Sequence, residues 1–252
     1  MDNPVLIKVS GHQLDDDVFL RDFAEFIRDY PAPMIIVHGG GAEITRMQQV
    51  MGITPHYVEG LRVTDAESLA MVEMVLCGVV NKRLVRYLVN AGIDAMGMSG
   101  VDRGMVRGRT LSDEMAFTGT VAKVRADLIK AWLQQGVTPV IAPVCIGENS
   151  NLNVNADTVA GAIAGAVDVA ELIFLSNVEG VLIDGQLVSE LTTTQARKLI
   201  VDGTVFGGMI PKVTNALNVL DSGVPQVKIT NLTGLKTQGG TRFVNDVKSV
   251  VS

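Results

Sequence analysis

An α/β fold, with helices packed on a mostly parallel sheet, is what this sequence predicts. Two observations carry the prediction. Short β-branched runs alternate with amphipathic stretches along the chain, the order of repeated strand–helix units. The runs are apolar almost throughout rather than alternating with polar residues, as strands covered on both faces must be. Gly and Pro fall mostly between these elements, with no internal repeat and no long linker, which fits a compact fold.

Strands are expected at Val5–Val9, Met34–His38, 95–98, 140–144, 172–176 and Gln226–Thr230. A helix over 15–28 follows the first strand, and a second over 42–51 puts Ile44, Met47 and Met51 on one stripe. The longest helical pattern runs over 65–91. Thr64 and Glu67 are spaced for a capping box at its start, and Gly92 is placed to end it. Within it, Leu69, Met71, Val72, Met74, Val75 and Leu76 cover more of the circumference than one core-facing stripe needs. Either the helix is buried centrally in a monomer or it is shared with a partner subunit; the second reading predicts a homodimer. A polar, Gly-containing patch over 147–155 separates the first strands from the last third.

The 252 residues suit one large domain or two closely joined lobes, and a chain of this size buries roughly 70–75% of its unfolded surface without staples. A formal net charge of -6 argues against nucleic acid as a partner. Cys77 and Cys145 form no metal or redox spacing and read as reduced structural thiols. His12, His38 and His56 are too scattered for a metal site, and His38 reads as structural. No apolar run approaches the ~20 residues that span a bilayer, and no basic segment precedes the first strand. The expectation is therefore a cytoplasmic protein with no membrane attachment and no protein-held metal.

Five segments carry chemistry. In Ile7-Lys8-Val9-Ser10-Gly11 a lysine lies near a strand end, ahead of a small-residue turn that lets backbone N–H groups approach a phosphate. His38-Gly39-Gly40-Gly41 joins a buried strand to a helix N-terminus, where exposed N–H donors and the helix dipole favour an anion. It has neither P-loop nor dinucleotide-fingerprint spacing. Arg62, in Gly60-Leu61-Arg62-Val63-Thr64-Asp65, offers a guanidinium able to grip a carboxylate through two parallel hydrogen bonds. Asn151-Leu152-Asn153-Val154-Asn155-Ala156-Asp157 clusters asparagines, poor strand formers, ahead of a small-residue helix; Asp157 is suited to holding lysine side chains. Gly207-Gly208-Met209-Ile210-Pro211-Lys212 again combines a glycine turn with a cation near a helix start. Upstream, the run from Leu175 to Leu182 is a strand end opening into a loop, where ligands of α/β sheets sit.

These segments, in this order, resemble the amino acid kinase family, and the similarity extends from Lys8 to Gly239-Gly240-Thr241-Arg242. The resemblance implies a three-layer α/β/α sandwich with an acylamino-acid and dimerisation lobe over 1–169 and a nucleotide lobe over 170–252. It implies ATP-dependent phosphorylation of the side-chain carboxylate of N-acetyl-L-glutamate, the second step of arginine biosynthesis, with Mg²⁺ entering on ATP. By motif, Gly40, Gly41, Arg62 and Asn153 are the expected substrate ligands; Lys8 and Lys212 are the phosphoryl-stabilising lysines, organised by Asp157. The nucleotide is expected at Gly11, Ser176, Asn177, Val178, Glu179, Gly180, Val181, Leu182, Thr204, Val205, Phe206, Gly208 and Met209. Ser10 stands where the family usually has glycine, and Asn177 where aspartate is common. Succinylglutamate, carrier-bound aminoadipate and a non-catalytic sensor role remain alternatives. Lys8 so near the start leaves no room for the extra helix of arginine-inhibited hexamers, which implies a homodimer that arginine does not inhibit.

The chemistry needs no catalytic His or Cys. A side-chain carboxylate is already ionised at neutral pH and attacks the γ-phosphate without a general base. What it requires is relief of repulsion from the triphosphate, which lysines and glycine-loop N–H groups supply.

Overall fold

The computed structural model describes residues 3–58 and 60–246. The chain begins β1 (Val5–Val9), α1 (Asp17–Asp29), β2 (Met34–His38), α2 (Gly41–Val50) and the hairpin β3 (His56–Val58) and β4 (Leu61–Val63). It continues through α3 (Ala66–Glu73), a π-helical segment (Met74–Val80), α4 (Asn81–Asn90) and β5 (Ala95–Ser99). The middle holds β6 (Val106–Thr110), β7 (Thr118–Val124), α5 (Ala126–Gln134), β8 (Thr138–Ala142), β9 (Val144–Ile146), β10 (Asn151–Val154), α6 (Ala156–Val167) and β11 (Glu171–Leu175). The last part holds β12 (Leu182–Ile183), β13 (Gln186–Leu187), β14 (Glu190–Thr192), α7 (Thr193–Val201), α8 (Met209–Asp221), β15 (Gln226–Thr230), α9 (Leu232–Lys236) and β16 (Thr241–Val244).

One sheet of eight strands runs in the order β14-β16-β15-β11-β1-β2-β8-β5. The five pairings from β15 to β5 are parallel, as is β14–β16, and the β15–β16 pairing is antiparallel. Along β1, Leu6 packs into one core with α5, α6 and α8, while Val5, Ile7 and Val9 pack into a second with α1, the π segment and α4. Alternate residues thus face opposite helical layers, which makes the three-layer sandwich and explains why the strands are mostly apolar. β6, β7, β9 and β10 close into a small barrel.

Several local expectations are corrected. The strand expected over 140–144 ends at Ala142: Pro143, which has no N–H to donate, marks the break, and Val144 starts β9 of the barrel. Asn151–Val154 is a strand despite its asparagines, because Leu152 and Val154 are buried and the asparagine side chains find polar partners. The long helix is capped by Asp65, whose side chain accepts from the Ser68 N–H at 2.8 Å. Thr64 is fully buried in a cross-element hydroxyl network and takes no part in a capping box. Met51 is exposed just past the end of α2 instead of completing its apolar stripe. Gly92, at φ 89°, does follow the end of α4.

Candidate active site

Lys8 has the same strand parity as Leu6, so its side chain lies on the α6 side of the sheet, near the carboxyl end of β1. There it meets Asp157 in the first turn of α6, with Nζ 2.7 Å from Oδ1. Asn155 caps α6 by accepting from the Asp157 N–H at 2.8 Å, and the N-terminal dipole favours the carboxylate. The second carboxylate oxygen accepts from the Asn215 side chain at 2.8 Å. Oδ1 itself is buried and makes no well-directed hydrogen bond, so its partner is the ammonium. Of the two lysines that Asp157 is expected to organise, it pairs here with Lys8, while its other oxygen accepts from Asn215, one turn beyond Lys212 on α8.

Two glycine turns meet beside Lys8. A Cβ on Gly11 would lie 2.6 Å from the Gly40 nitrogen and 3.1 Å from that of Gly41, so the turn after β1 is pressed against the one after β2. The Gly39 N–H donates to the Val9 carbonyl at 2.9 Å, which ties the second turn to β1. Gly40 caps α2 from an extended conformation and Gly41 opens it, leaving first-turn N–H groups at the dipole's positive end. Beneath, His38 is completely buried; burial holds its pKa down, to about 4. Its Nδ1 lies 2.8 Å from the Gly39 carbonyl and its Nε2 3.1 Å from Asn81 Nδ2. The neutral ring therefore donates from Nδ1 and accepts at Nε2.

Arg62, on β4, is half-buried, and loss of solvation lowers its pKa. Its guanidinium donates to the Gln48 side chain and to Thr45 Oγ1 at 2.8 Å, and stacks over Tyr57 at 4.9 Å from the ring centre. Gln48 is fully buried and donates onward to Ser68 Oγ at 3.0 Å, so it holds the arginine rigidly. Asn153, on β10, donates to Thr64 Oγ1 at 3.0 Å. Among the described residues neither Arg62 nor Lys212 has an acidic ion-pair partner.

Two cavities adjoin at this point. One, of about 430 Å³, is walled by Lys8, Gly40, Gly41, Arg62, Asn153 and Asp157, together with Tyr57, Thr118 and Leu76. The other, of about 290 Å³, is walled by Lys8, Ser10, Gly11, Gly40, Gly41, Asn177 and Lys212. The structure thus gathers all seven predicted catalytic and substrate residues, with Gly11 and Asn177. The remaining nucleotide residues line neither cavity. Ser176, Val181 and Val205 are buried, while Val178 is partly buried and Glu179 exposed. Gly180 is pinned at φ 151°, where a Cβ would collide with Leu187 and Thr241. Thr204 donates its N–H to Asp202, and Gly208 and Met209 begin α8. Leu182 and Phe206 present exposed apolar side chains.

Sequence reasoning missed His12, Thr45, Gln48, Tyr57, Thr118 and Asn215. Asn215, three residues after Lys212 on one helix face, carried a readable spacing signal; the others had none before the elements were assembled. A larger cavity, about 1110 Å³, lies over β11 and β15 and contains none of the predicted catalytic residues. Its three lining cations each have an acidic partner, Lys228 with Glu171, Lys236 with Asp22 and Arg242 with Glu190, so volume alone does not mark the chemistry. No group of His, Cys, Asp or Glu able to hold a metal ion occurs among the described residues.

Residues 3–231 match the amino acid kinase family. The chain belongs to that family. Among its relatives is the acetylglutamate kinase of Roseiflexus sp. (strain RS-1), 47% identical over 244 residues, or 95% of this chain and 94% of that one. The acetylglutamate kinase of Methanopyrus kandleri is 42% identical over 94% of this chain and 98% of its own length. Of solved structures, a Streptococcus mutans protein superposes with a TM-score of 0.82 at 28% identity, covering 98% of this chain and all of that one. Carbamate kinase from Giardia lamblia shares the fold, with a TM-score of 0.73 at 15% identity over 97% of this chain and 99% of that one.

Proposed function

We propose that this chain is an ATP-dependent kinase that phosphorylates the side-chain carboxylate of N-acetyl-L-glutamate to give N-acetylglutamyl 5-phosphate, the second step of arginine biosynthesis. The observation that carries the reading is the shared wall of the two cavities: Lys8 and the glycine turn stand between a pocket holding Arg62 and one holding Lys212, two cations with no acidic partner among the described residues. Relatives at 47% and 42% identity over nearly the whole chain are acetylglutamate kinases, which supports the substrate.

In this reading Arg62 and Asn153 grip the acid, and the side-chain carboxylate points past Lys8 toward the γ-phosphate. A carboxylate oxygen forms the new P–O bond as the bond from γ-phosphorus to the β,γ-bridging oxygen breaks. ADP leaves with that electron pair, and no proton moves. Lys8 and Lys212 offset the negative charge from the two sides, Asp157 and Asn155 fix Lys8 in place, and N–H groups of Gly11, Gly40 and Gly41 face the phosphates. Mg²⁺ enters with ATP as part of the substrate, and Asp157 is engaged by Lys8 and Asn215. Asn177, Gly180, the exposed Leu182 and Phe206, and the turn at Gly208 and Met209 form the nucleotide face, with the lobes dividing near 169/170. Exposed Met74 and Val79 on the π segment support a homodimer built on that helix. No described helix is long and apolar enough to cross a membrane, which fits a cytoplasmic enzyme.

The test is ATP consumption with N-acetylglutamate, N-succinylglutamate and carrier-linked aminoadipate side by side. Acetylglutamate should be turned over with the highest kcat/KM, and Lys8→Ala or Lys212→Ala should each lower kcat by roughly 10²–10³-fold. Turnover of another acid alone would overturn the substrate, and silence on all three would overturn the kinase reading.

A further inference from the structure

Besides the expected Lys8 and the glycine turn of Gly39, Gly40 and Gly41, one other residue lines both cavities: His12. Because the acid cavity and the phosphate cavity adjoin through these residues, the atom in flight passes between them. His12 sits in the one-turn helix Gly11–Gln13 that follows β1, four residues after Lys8. Its ring is exposed and makes no hydrogen bond within the described chain. The other two histidines do not compete for the role. His38 is sealed beneath the glycine turn, and His56 stands on the exposed β3 strand outside both cavity walls.

The turn that carries His12 is firmly held. The Ser10 N–H donates to the Leu175 carbonyl at 3.0 Å, Gly11 presses on Gly40, and Leu14 is buried, with its carbonyl accepting from Arg83 at 2.9 Å. A side chain projecting from so fixed a turn has a defined reach. An imidazole always keeps at least one N–H donor, so it serves an anionic oxygen without needing to be a base. The charged groups around it are Lys8 with Asp157 on one side and Lys212 on the other.

We propose that His12 is a catalytic residue of this kinase, donating a ring N–H to an equatorial oxygen of the phosphoryl group during transfer. It acts beside Lys8 and Lys212 as a third donor at the seam of the cavities. The inference rests on the kinase reading above. The bond changes are those already given: the carboxylate oxygen–phosphorus bond forms, the phosphorus–bridging oxygen bond breaks, ADP takes the electron pair, and His12 keeps its proton.

A donor used mainly in the transition state lowers kcat when removed and leaves ground-state binding nearly intact. His12→Ala should therefore reduce kcat by about 10–100-fold, less than the roughly 10²–10³-fold of losing one sequestered donor because the ring is solvent-accessible. The KM for acetylglutamate and for ATP should change less than about threefold. His12→Gln or His12→Asn, which restore a neutral N–H donor, should recover part of the loss. The complex with MgADP, aluminium fluoride and acetylglutamate should weaken in His12→Ala by a factor similar to the fall in kcat, a coupling that a merely structural role does not produce. An unchanged melting temperature is expected for an exposed side chain and shows that the variant is folded. If the parent enzyme turns over acetylglutamate and His12→Ala keeps kcat within twofold, the role of His12 is overturned while the kinase reading stands. If the parent itself is silent, it is the kinase reading that fails.

Discussion

Replacing Gly11 by alanine tests the contact between the two glycine turns of the proposed phosphate site. The added Cβ would lie 2.6 Å from the Gly40 nitrogen, 2.8 Å from its Cα and 3.1 Å from the Gly41 nitrogen. All three are backbone atoms, so no side chain can swing aside. Restoring ordinary contact at about 3.4 Å requires the two turns to part by about 0.8 Å. The φ of Gly11 is one that any residue adopts, so the effect is purely steric. Overpacking of this kind costs about 1–3 kcal/mol, and misplacing reacting groups by ~1 Å lowers rates by as much as ~10²-fold. The expected result in a coupled ADP-release assay is a 10–100-fold lower kcat/KM, with a melting temperature several degrees lower, roughly 2–4 °C per kcal/mol for a chain of this size. Gly165→Ala, in the interior of α6 with its first contact at 3.4 Å, is the control: it should leave kinetics unchanged and stabilise by about 0.5–1 kcal/mol. A Gly11→Ala enzyme with kinetics within threefold of the parent and the same melting temperature would refute the idea that close apposition of the two turns sets the donors.

The other predictions concern groups whose environments set their behaviour. Arg62→Ala should raise the KM for the acid by about 10–100-fold, matching the ~1.5–3 kcal/mol of a charge-assisted hydrogen bond. Gln48→Ala should raise it less, because Gln48 only fixes the guanidinium; steady-state kinetics of both variants decide the order. His38 has its pKa lowered from 6.5 to about 4, so the unfolded chain binds the proton first. Its contribution to stability is complete above pH ~6.5 and is lost as pH falls toward 4, by roughly 3 kcal/mol at most. Denaturant titrations at pH 7, 5.5 and 4.5 should show that loss in the parent and a smaller one in His38→Gln. Burial pushes Cys77 up to about 11 and Cys145 to about 12. At pH 8 neither thiol of the native protein should react with a disulfide reagent as fast as the denatured chain does.

Much of this molecule was legible in the sequence because local patterns decided it. The apolar strands at Val5–Val9, Met34–His38 and Gln226–Thr230 have the bounds expected from their runs of branched residues. Burial on both faces keeps most of their residues apolar, which makes the runs stand out. Lys8, Gly40, Gly41, Arg62, Asn153, Asp157 and Lys212 were each visible as a residue type in an unusual local setting. Errors arose where a distant element outbid the local preference. Asn151–Val154 became a strand because the barrel offered it two neighbours, and Thr64 left its cap for a buried hydroxyl network with Thr118 and Asn153.

The sequence by itself determined the fold class, the family and the cations and glycine turns available for phosphoryl transfer, because periodicity, turn chemistry and motif order are local properties of the chain. Only the tertiary structure decided how they are wired. It gave Asp157 to Lys8 and Asn215, set Gln48 behind Arg62, and pressed Gly11 onto Gly40. It also brought His12 to the seam of two cavities. Distances between residues far apart in the chain are fixed by packing two helical layers on one sheet, and no local pattern encodes them.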